Sequence, residues 1–150
     1  MILKFSVLGP PQGKGRPIFS TFRGHVSVRT PEKTAQYERN VQAMYKRAHP
    51  NRGFPEGVML DLRVIAYFGV PNSAPQKRRA AMLAGEIRPT KRPDADNILK
   101  VIADSLNGLA YYDDAQLVDT QIRKFYSSRP RVEVTILETG GTEHEQLQIQ

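Results

Sequence analysis

Between residues 94 and 116 the chain gathers the side chains best suited to phosphate chemistry: Asp94, Asp96, Asn97, Lys100 and Asp104, then Asp113, Asp114 and Gln116 beyond Gly108. Hydrolysing a phosphodiester requires the phosphate charge to be offset, a water to be deprotonated and the leaving oxygen to be stabilised, and a divalent cation serves all three needs. Mg²⁺ prefers hard oxygen ligands and keeps several waters, so two or three carboxylates from a helix start and a nearby turn make a suitable open site. Asp94, Asp96 and Asp114 fit that role. Lys100, one turn beyond Asp96, carries an ammonium that can reach a phosphate oxygen without occupying a metal position. Each residue also has a plainer reading. Asp94 can cap a helix, Asp96 can pair with Lys100 four residues on, Lys100 can instead pair with Asp104, and Asp104 can be solvated. Asp113 can belong to a turn, but a second adjacent carboxylate repels it unless a cation lies nearby, so Asp114 needs a further reason.

The elements that must hold these groups follow from periodicity. At about 100° per residue, Ile98, Leu99, Val101, Ile102, Leu106 and Leu109 fill one arc of a helix opening at Asp94, while Asp96, Asn97, Lys100, Asp104 and Asn107 share the other. Asp94 stands at the N-cap and Asp96 in the first turn, where the helix dipole favours negative charge. Around that helix, residues 2–8 alternate as a strand that Gly9-Pro10-Pro11 stops, and residues 57–70 read as a central strand. Leu117 to Tyr126 and Arg131 to Leu137 alternate as two further strands. A helix runs from Thr30, expected as its cap, with Pro31 at its first position, to Pro50. A short basic helix is expected between Pro75 and Gly85. Gln12 to Gly24 reads as a basic loop, followed by a short strand at His25–Val28. This irregular mixture gives an α+β class: one compact domain over 1–137, with a mixed β-sheet packed against helices and a polar, flexible tail at 138–150.

Charge points to the partner. The 150 residues hold 22 Lys and Arg against 15 Asp and Glu, and all the basic residues lie before position 132. Such an excess attracts polyanions, nucleic acid first, through counterion release. A merely basic surface is the competing explanation. There is no cysteine, which excludes disulfides and thiolate metal sites, and any metal must bind oxygen or imidazole. His25, His49 and His144 are scattered and form no ligand pair. No apolar run spans a membrane and the N-terminus does not read as a signal peptide, so a cytoplasmic location is the default expectation.

The ordered run Asp94-x-Asp96-Asn97-x-x-Lys100-x-x-x-Asp104-x-Leu106, followed by Asp113-Asp114-x-Gln116, resembles the RusA family of Holliday junction resolvases. The likeness extends to Pro10-Pro11, the Gly13-Lys14-Gly15-Arg16-Pro17 loop and the closing strands, over roughly residues 3–137. It implies a RusA-like fold and a homodimeric, Mg²⁺-dependent enzyme, with Mn²⁺ able to substitute. Such an enzyme cuts four-way DNA junctions by paired incisions in recombination and repair, in a bacterial or phage setting. It further implies that Asp94, Asp96 and Asp114 are the essential metal-binding carboxylates and Lys100 the catalytic cation. Asp113, Asp104 and Asn97 would be supporting residues, Asp113 tuning the metal site and Asp104 holding Lys100.

Several other residues are expected near DNA. Lys14 and Arg16 are candidates for phosphate contact from a flexible loop, as are Arg23, Lys91 and Arg92, with Lys77, Arg78, Arg79 and Arg88 as further basic positions. Phe22 is expected to pack as the loop's hydrophobic anchor, with stacking on bases opened at a junction centre as the functional alternative. A P-loop at Gly9–Gly15 is rejected because the glycine spacing is one residue short and Gly15 replaces the required hydroxyl residue. An EF-hand at Asp94 is rejected because its twelfth position is Ser105. The reading from another class is a non-catalytic basic DNA-binding module whose carboxylates only cap and pair.

Overall fold

The alternation at the two ends of the chain, and the long apolar stretch between them, build one sheet. In the computed structural model, which describes residues 1–139, β1 (Ile2–Leu8) pairs antiparallel with the C-terminal strand, and that strand pairs antiparallel with a central one at Leu60–Gly69. The central strand then runs parallel to a strand at Leu117–Ser127. In chain order the remaining elements are β2 (Ile18–Phe22), β3 (His25–Arg29), α1 (Glu32–Ala48), β4 (Leu60–Gly69), α2 (Gln76–Leu83), α3 (Ala95–Ser105), a single 3₁₀ turn at Asp114–Gln116, β5 (Leu117–Ser127) and β6 (Arg131–Glu138). The sheet order is β1-β6-β4-β5. The α+β class with a mixed sheet and three helices is as expected.

One face of the sheet is apolar because period two puts Leu3, Phe5 and Val7 of β1 on the same side as Leu62, Val64, Ala66 and Phe68 of β4 and Val132, Val134 and Ile136 of β6. All ten are buried. Tyr37, Val41 and Tyr45 of α1 and Ile98, Val101 and Ile102 of α3 close this core, with Leu106 and Tyr111 beyond α3. Parallel pairing of β4 with β5 cannot be made by a hairpin and needs a long crossover. Residues 70–116 form it, and α3 lies within it against β4 and β5. The crossover therefore carries every candidate carboxylate.

Three expectations are corrected. The N-cap of α1 is Pro31 rather than Thr30, the helix starts at Glu32, and no side chain caps it. Glu138, placed in the tail, ends β6, and Thr139 N–H donates to the Met59 carbonyl at 3.0 Å. The rest of the expected tail, with His144, lies outside the described residues. The basic loop contains a strand: β2 pairs with β3 through a two-residue turn in which Arg23 and Gly24 both take positive φ, the geometry of a tight hairpin. All ten residues of this ribbon are exposed.

Burial separates the two regions energetically. Ile102→Ala removes a side chain at 0% exposure and is expected to cost about 2–5 kcal/mol in urea denaturation. Phe22→Ser, on the ribbon, is expected to change stability by less than about 0.5 kcal/mol in the same measurement.

Candidate active site

α3 begins where the sequence places it. Asp94 is its N-cap residue, just after the cis Arg92–Pro93 peptide, and Asp96 is in the first turn. The plain structural roles offered for these residues are not taken up. The Asp94 side chain makes no capping hydrogen bond. Among the described residues, neither Asp94, Asp96 nor Lys100 enters a salt bridge, so the expected Asp96–Lys100 and Asp104–Lys100 pairs do not form. All three side chains are exposed.

Asp104 is held by a different lysine. Lys14 Nζ lies 2.7 Å from Glu38 of α1 and 3.1 Å from Asp104 of α3. Burial alone would lower the Lys14 pKa, but hydrogen bonds and charge from Glu38 and Asp104 outweigh it and hold it above its ordinary value. The loop around Lys14 is also tied by its backbone. Lys14 N–H donates to the Asn97 carbonyl at 3.1 Å, and Gly15 N–H donates to Thr34 Oγ1 at 3.0 Å. The flexible, phosphate-gripping Lys14 expected from sequence is therefore replaced by a partly buried clamp between α1 and α3.

The second acidic cluster divides its labour. Asp113 Oδ1 accepts from Ala115 N–H at 3.0 Å, while Gln116 Oε1 accepts from Tyr112 and Asp113 N–H, forming a capping box around the 3₁₀ turn. Gln116 Nε2 donates to the Pro55 and Val58 carbonyls at 2.9 and 3.0 Å, which anchors that turn beside β4. Asp113 is thus a cap, its carboxyl held below the usual range by the Ala115 N–H bond. Asp114 N–H donates to Asn107 Oδ1 at 2.7 Å. The Asp114 carboxyl is pushed up by burial, then by Asp113 and Asp104. Tyr111, whose hydroxyl donates to the Ala103 carbonyl at 2.7 Å, is also raised by burial and by the charges of Asp114 and Asp104.

The acids therefore lie in two groups. Asp94 and Asp96 stand at the start of α3, while Asp104, Asp113 and Asp114 gather at its end. The rise of an α-helix puts roughly 15 Å of axis between residues 94 and 104. Among the described residues no three His, Asp or Glu side chains are close enough to form a ready-made metal cage. The donor chemistry still fits a hard cation. These are oxygen donors, and Mg²⁺ is commonly held by one or two carboxylates with substrate phosphates and water completing its shell.

One nearby cation escaped the sequence reading. Lys124 sits on the helix-facing side of β5, beside Phe68, with Nζ donating to the Lys91 carbonyl at 2.7 Å. Burial pulls its pKa down, and the Asp94 carboxylate opposes that shift. The alternation of β5 puts residue 124 on the same side as Ile122, and that was the available signal. Of the other expected DNA-binding residues, Arg16 and Arg92 are exposed around the loop that Lys14 anchors, and Lys91 faces the Tyr126 ring at 6.0 Å. Phe22 and Arg23 are at the ribbon tip, where Phe22 is 74% exposed, so it is no packed anchor. His49 is structural, Nε2 lying 2.7 Å from the Lys4 carbonyl.

Residues 9–137 match the family described as endodeoxyribonuclease RusA. The chain belongs to the RusA endodeoxyribonuclease family. Two relatives set this RusA-family chain in context. The uncharacterized protein YqaN of Bacillus subtilis (strain 168) is 38% identical over 139 residues, which cover 93% of this chain and 98% of that protein. The crossover junction endodeoxyribonuclease rusA of Lactococcus phage r1t is 31% identical over 100 residues, 66% of this chain and 70% of that one. The region matched by the family contains both acidic groups and the Lys14 loop. No helix among the described residues is long and apolar enough to cross a membrane.

The Lys14 clamp has a pH signature. A raised native pKa adds stability that is fully present below the ordinary lysine value of 10.5 and disappears as pH rises through the higher native value. Lys14→Met is expected to cost about 1–2 kcal/mol at pH 7. That difference from wild type should narrow as pH rises above 10.5 and close once pH passes the higher native value, when denaturation midpoints are compared across pH.

Proposed function

We propose that this RusA-family chain is a Mg²⁺-dependent endonuclease that resolves four-way DNA junctions by paired incisions as a homodimer, in recombination or repair. The observation that carries the reading is the division of the polar groups on and after α3. Asp104, Asp113 and Gln116 have structural partners, while Asp94, Asp96 and Lys100 stand exposed without an ion pair among the described residues. Asp114 bears a carboxyl whose ionisation is disfavoured by burial and then by Asp113 and Asp104. Two carboxylates left without a cap bond or an ion pair add little to the fold and are well explained by a ligand.

In this reading Asp94 and Asp96 hold the metal, with Mn²⁺ as an alternative ion. Asp114, expected to join them, stands at the other end of α3, roughly 15 Å of helix axis away, and acts from the second acidic group. Bound to Asp94 and Asp96, the cation would offset phosphate charge and promote ionisation of the attacking water. The protein's own contributions are positional. Lys100 stabilises charge on a phosphate oxygen, Asp113 and Gln116 fix the turn that presents Asp114, and Lys14 fixes Asp104 and the loop beside α3. Junction specificity comes to this chain by proposal from the name of the phage relative. The divided acids lend weight to a second reading, a DNA-binding module without catalysis, and the experiment separates the two.

A synthetic four-way junction is expected to be bound without metal and cut in millimolar Mg²⁺. Asp96→Asn should bind and fail to cut, and Lys100→Ala should cut about 100-fold more slowly or worse. Junction binding by wild type and Asp96→Asn, with no cutting by either in Mg²⁺ or Mn²⁺, would leave the non-catalytic reading standing. Millimolar Mg²⁺ should also raise the melting temperature of wild type more than that of Asp96→Asn, because a cation that binds only the folded acids stabilises by mass action.

A further inference from the structure

Beside the start of α3 lies a cleft of about 550 Å³ to which the metal-holding role of the acids assigns nothing. The loop at residues 11–16 forms one wall, the start of α1 a second, and Arg92 to Asn97 the third. Three of its cations, Arg16, Lys33 and Arg92, are exposed and enter no ion pair among the described residues. The fourth, Lys14, is neutralised by Glu38 and Asp104 and serves as the fastening of the wall. Two helices, α1 and α3, begin at this cleft, and neither has a side-chain cap, so their first N–H groups add to its positive potential. Pro11, Pro31 and Pro93 supply an apolar lining.

The wall is built for close approach. A Cβ on Gly13 would stand 3.0 Å from Asn97 Cβ and 3.1 Å from Pro93 Cβ, and one on Gly15 would stand 2.6 Å from Thr34 Oγ1. A side chain at either position would press on Asn97, Pro93 or Thr34, so glycine suits the close approach of the loop to both helices.

We propose that this cleft is a DNA-strand subsite that takes one nucleotide of the strand leading into the Asp94 end of the active site. Arg16, Lys33 and Arg92 grip its flanking phosphates, and the proline lining receives its sugar. The volume lies within the range of small-ligand pockets. Phosphate contact also explains why three cations are left unpaired around a recess whose lining includes Asp94. This assignment rests on the reading of the chain as a nuclease, but it concerns binding and can be tested without cutting.

The test is metal-free binding of a four-way junction and of single-stranded oligothymidylate, measured across salt concentration. Arg16→Ala and Lys33→Ala are each expected to weaken both substrates about 3- to 10-fold and to reduce the slope of log affinity against log salt by about one. Arg16→Lys should restore the slope. Lys46→Ala, on the far end of α1 and also exposed, should change neither. Equal losses in Arg16→Ala and Lys46→Ala would show only a general charge effect and overturn the subsite, as would unchanged binding in Arg16→Ala and Lys33→Ala. If wild type cuts junctions while these variants bind normally, the subsite falls and the nuclease stands. If the variants lose binding as expected while wild type never cuts, the subsite stands and the nuclease falls.

Discussion

The parallel pairing of β4 with β5 is the constraint from which the site follows. Two parallel neighbours cannot be joined by a short turn, so the chain must leave the end of β4, cross the sheet and return to the start of β5. Everything chemically distinctive lies on that return path. Because α3 travels back along the sheet, its first turn lies near Lys124, well along β5, and its last turn lies near the 3₁₀ turn that starts β5. The two acidic groups are thus set at opposite ends of one helix by topology. The apolar arc of α3, Ile98, Val101 and Ile102, pins that helix to the sheet and leaves its polar arc outward.

The polar arc is sorted by whether a partner can reach it. Lys14 comes from the loop after β1, a neighbour of α3 only because β1 occupies the sheet edge on the α1 side. It reaches Asp104 and Glu38 together, so one cation offsets two carboxylates drawn from different helices. Asp113 finds its partners within three residues. Asp94 and Asp96 have the positive end of the α3 dipole beside them, which makes it tolerable to leave them without a salt bridge. Charge is therefore neutralised where the helix dipole is unfavourable to acids and left open where it is favourable.

Much of this was legible in the sequence where the signal is local. The alternation of β1, β4, β5 and β6 and the arc of α3 appear because each has one face in the core, and burial imposes period. The ribbon strand β2 was hidden for the converse reason. Ile18, Phe19 and Phe22 face no core, so Ile18-Phe19-Ser20-Thr21-Phe22 has no inside to alternate with and merges with its Gly- and Pro-rich surroundings. Asp113 as a cap was readable from the Asp-x-x-Gln spacing to Gln116, yet its neighbour drew both residues into one acidic cluster. The Lys14–Asp104 pair joins residues far apart in the chain and depends on strand order, which no local pattern encodes. Arg16 and Lys33 likewise share a cleft only because the loop and α1 are folded against the same end of α3.

The exposed ribbon carries an evolutionary consequence. Its shape is set internally, by the Arg23-Gly24 turn and the strand register, while its side chains contribute nothing to the core. Residues under no packing constraint can change without unfolding the protein, whereas the buried face of α3 is held by the core. Descendants of one such chain can therefore diversify what they touch through the ribbon while keeping the chemistry of α3 intact. The fold thereby separates a constrained engine from a surface that is free to drift.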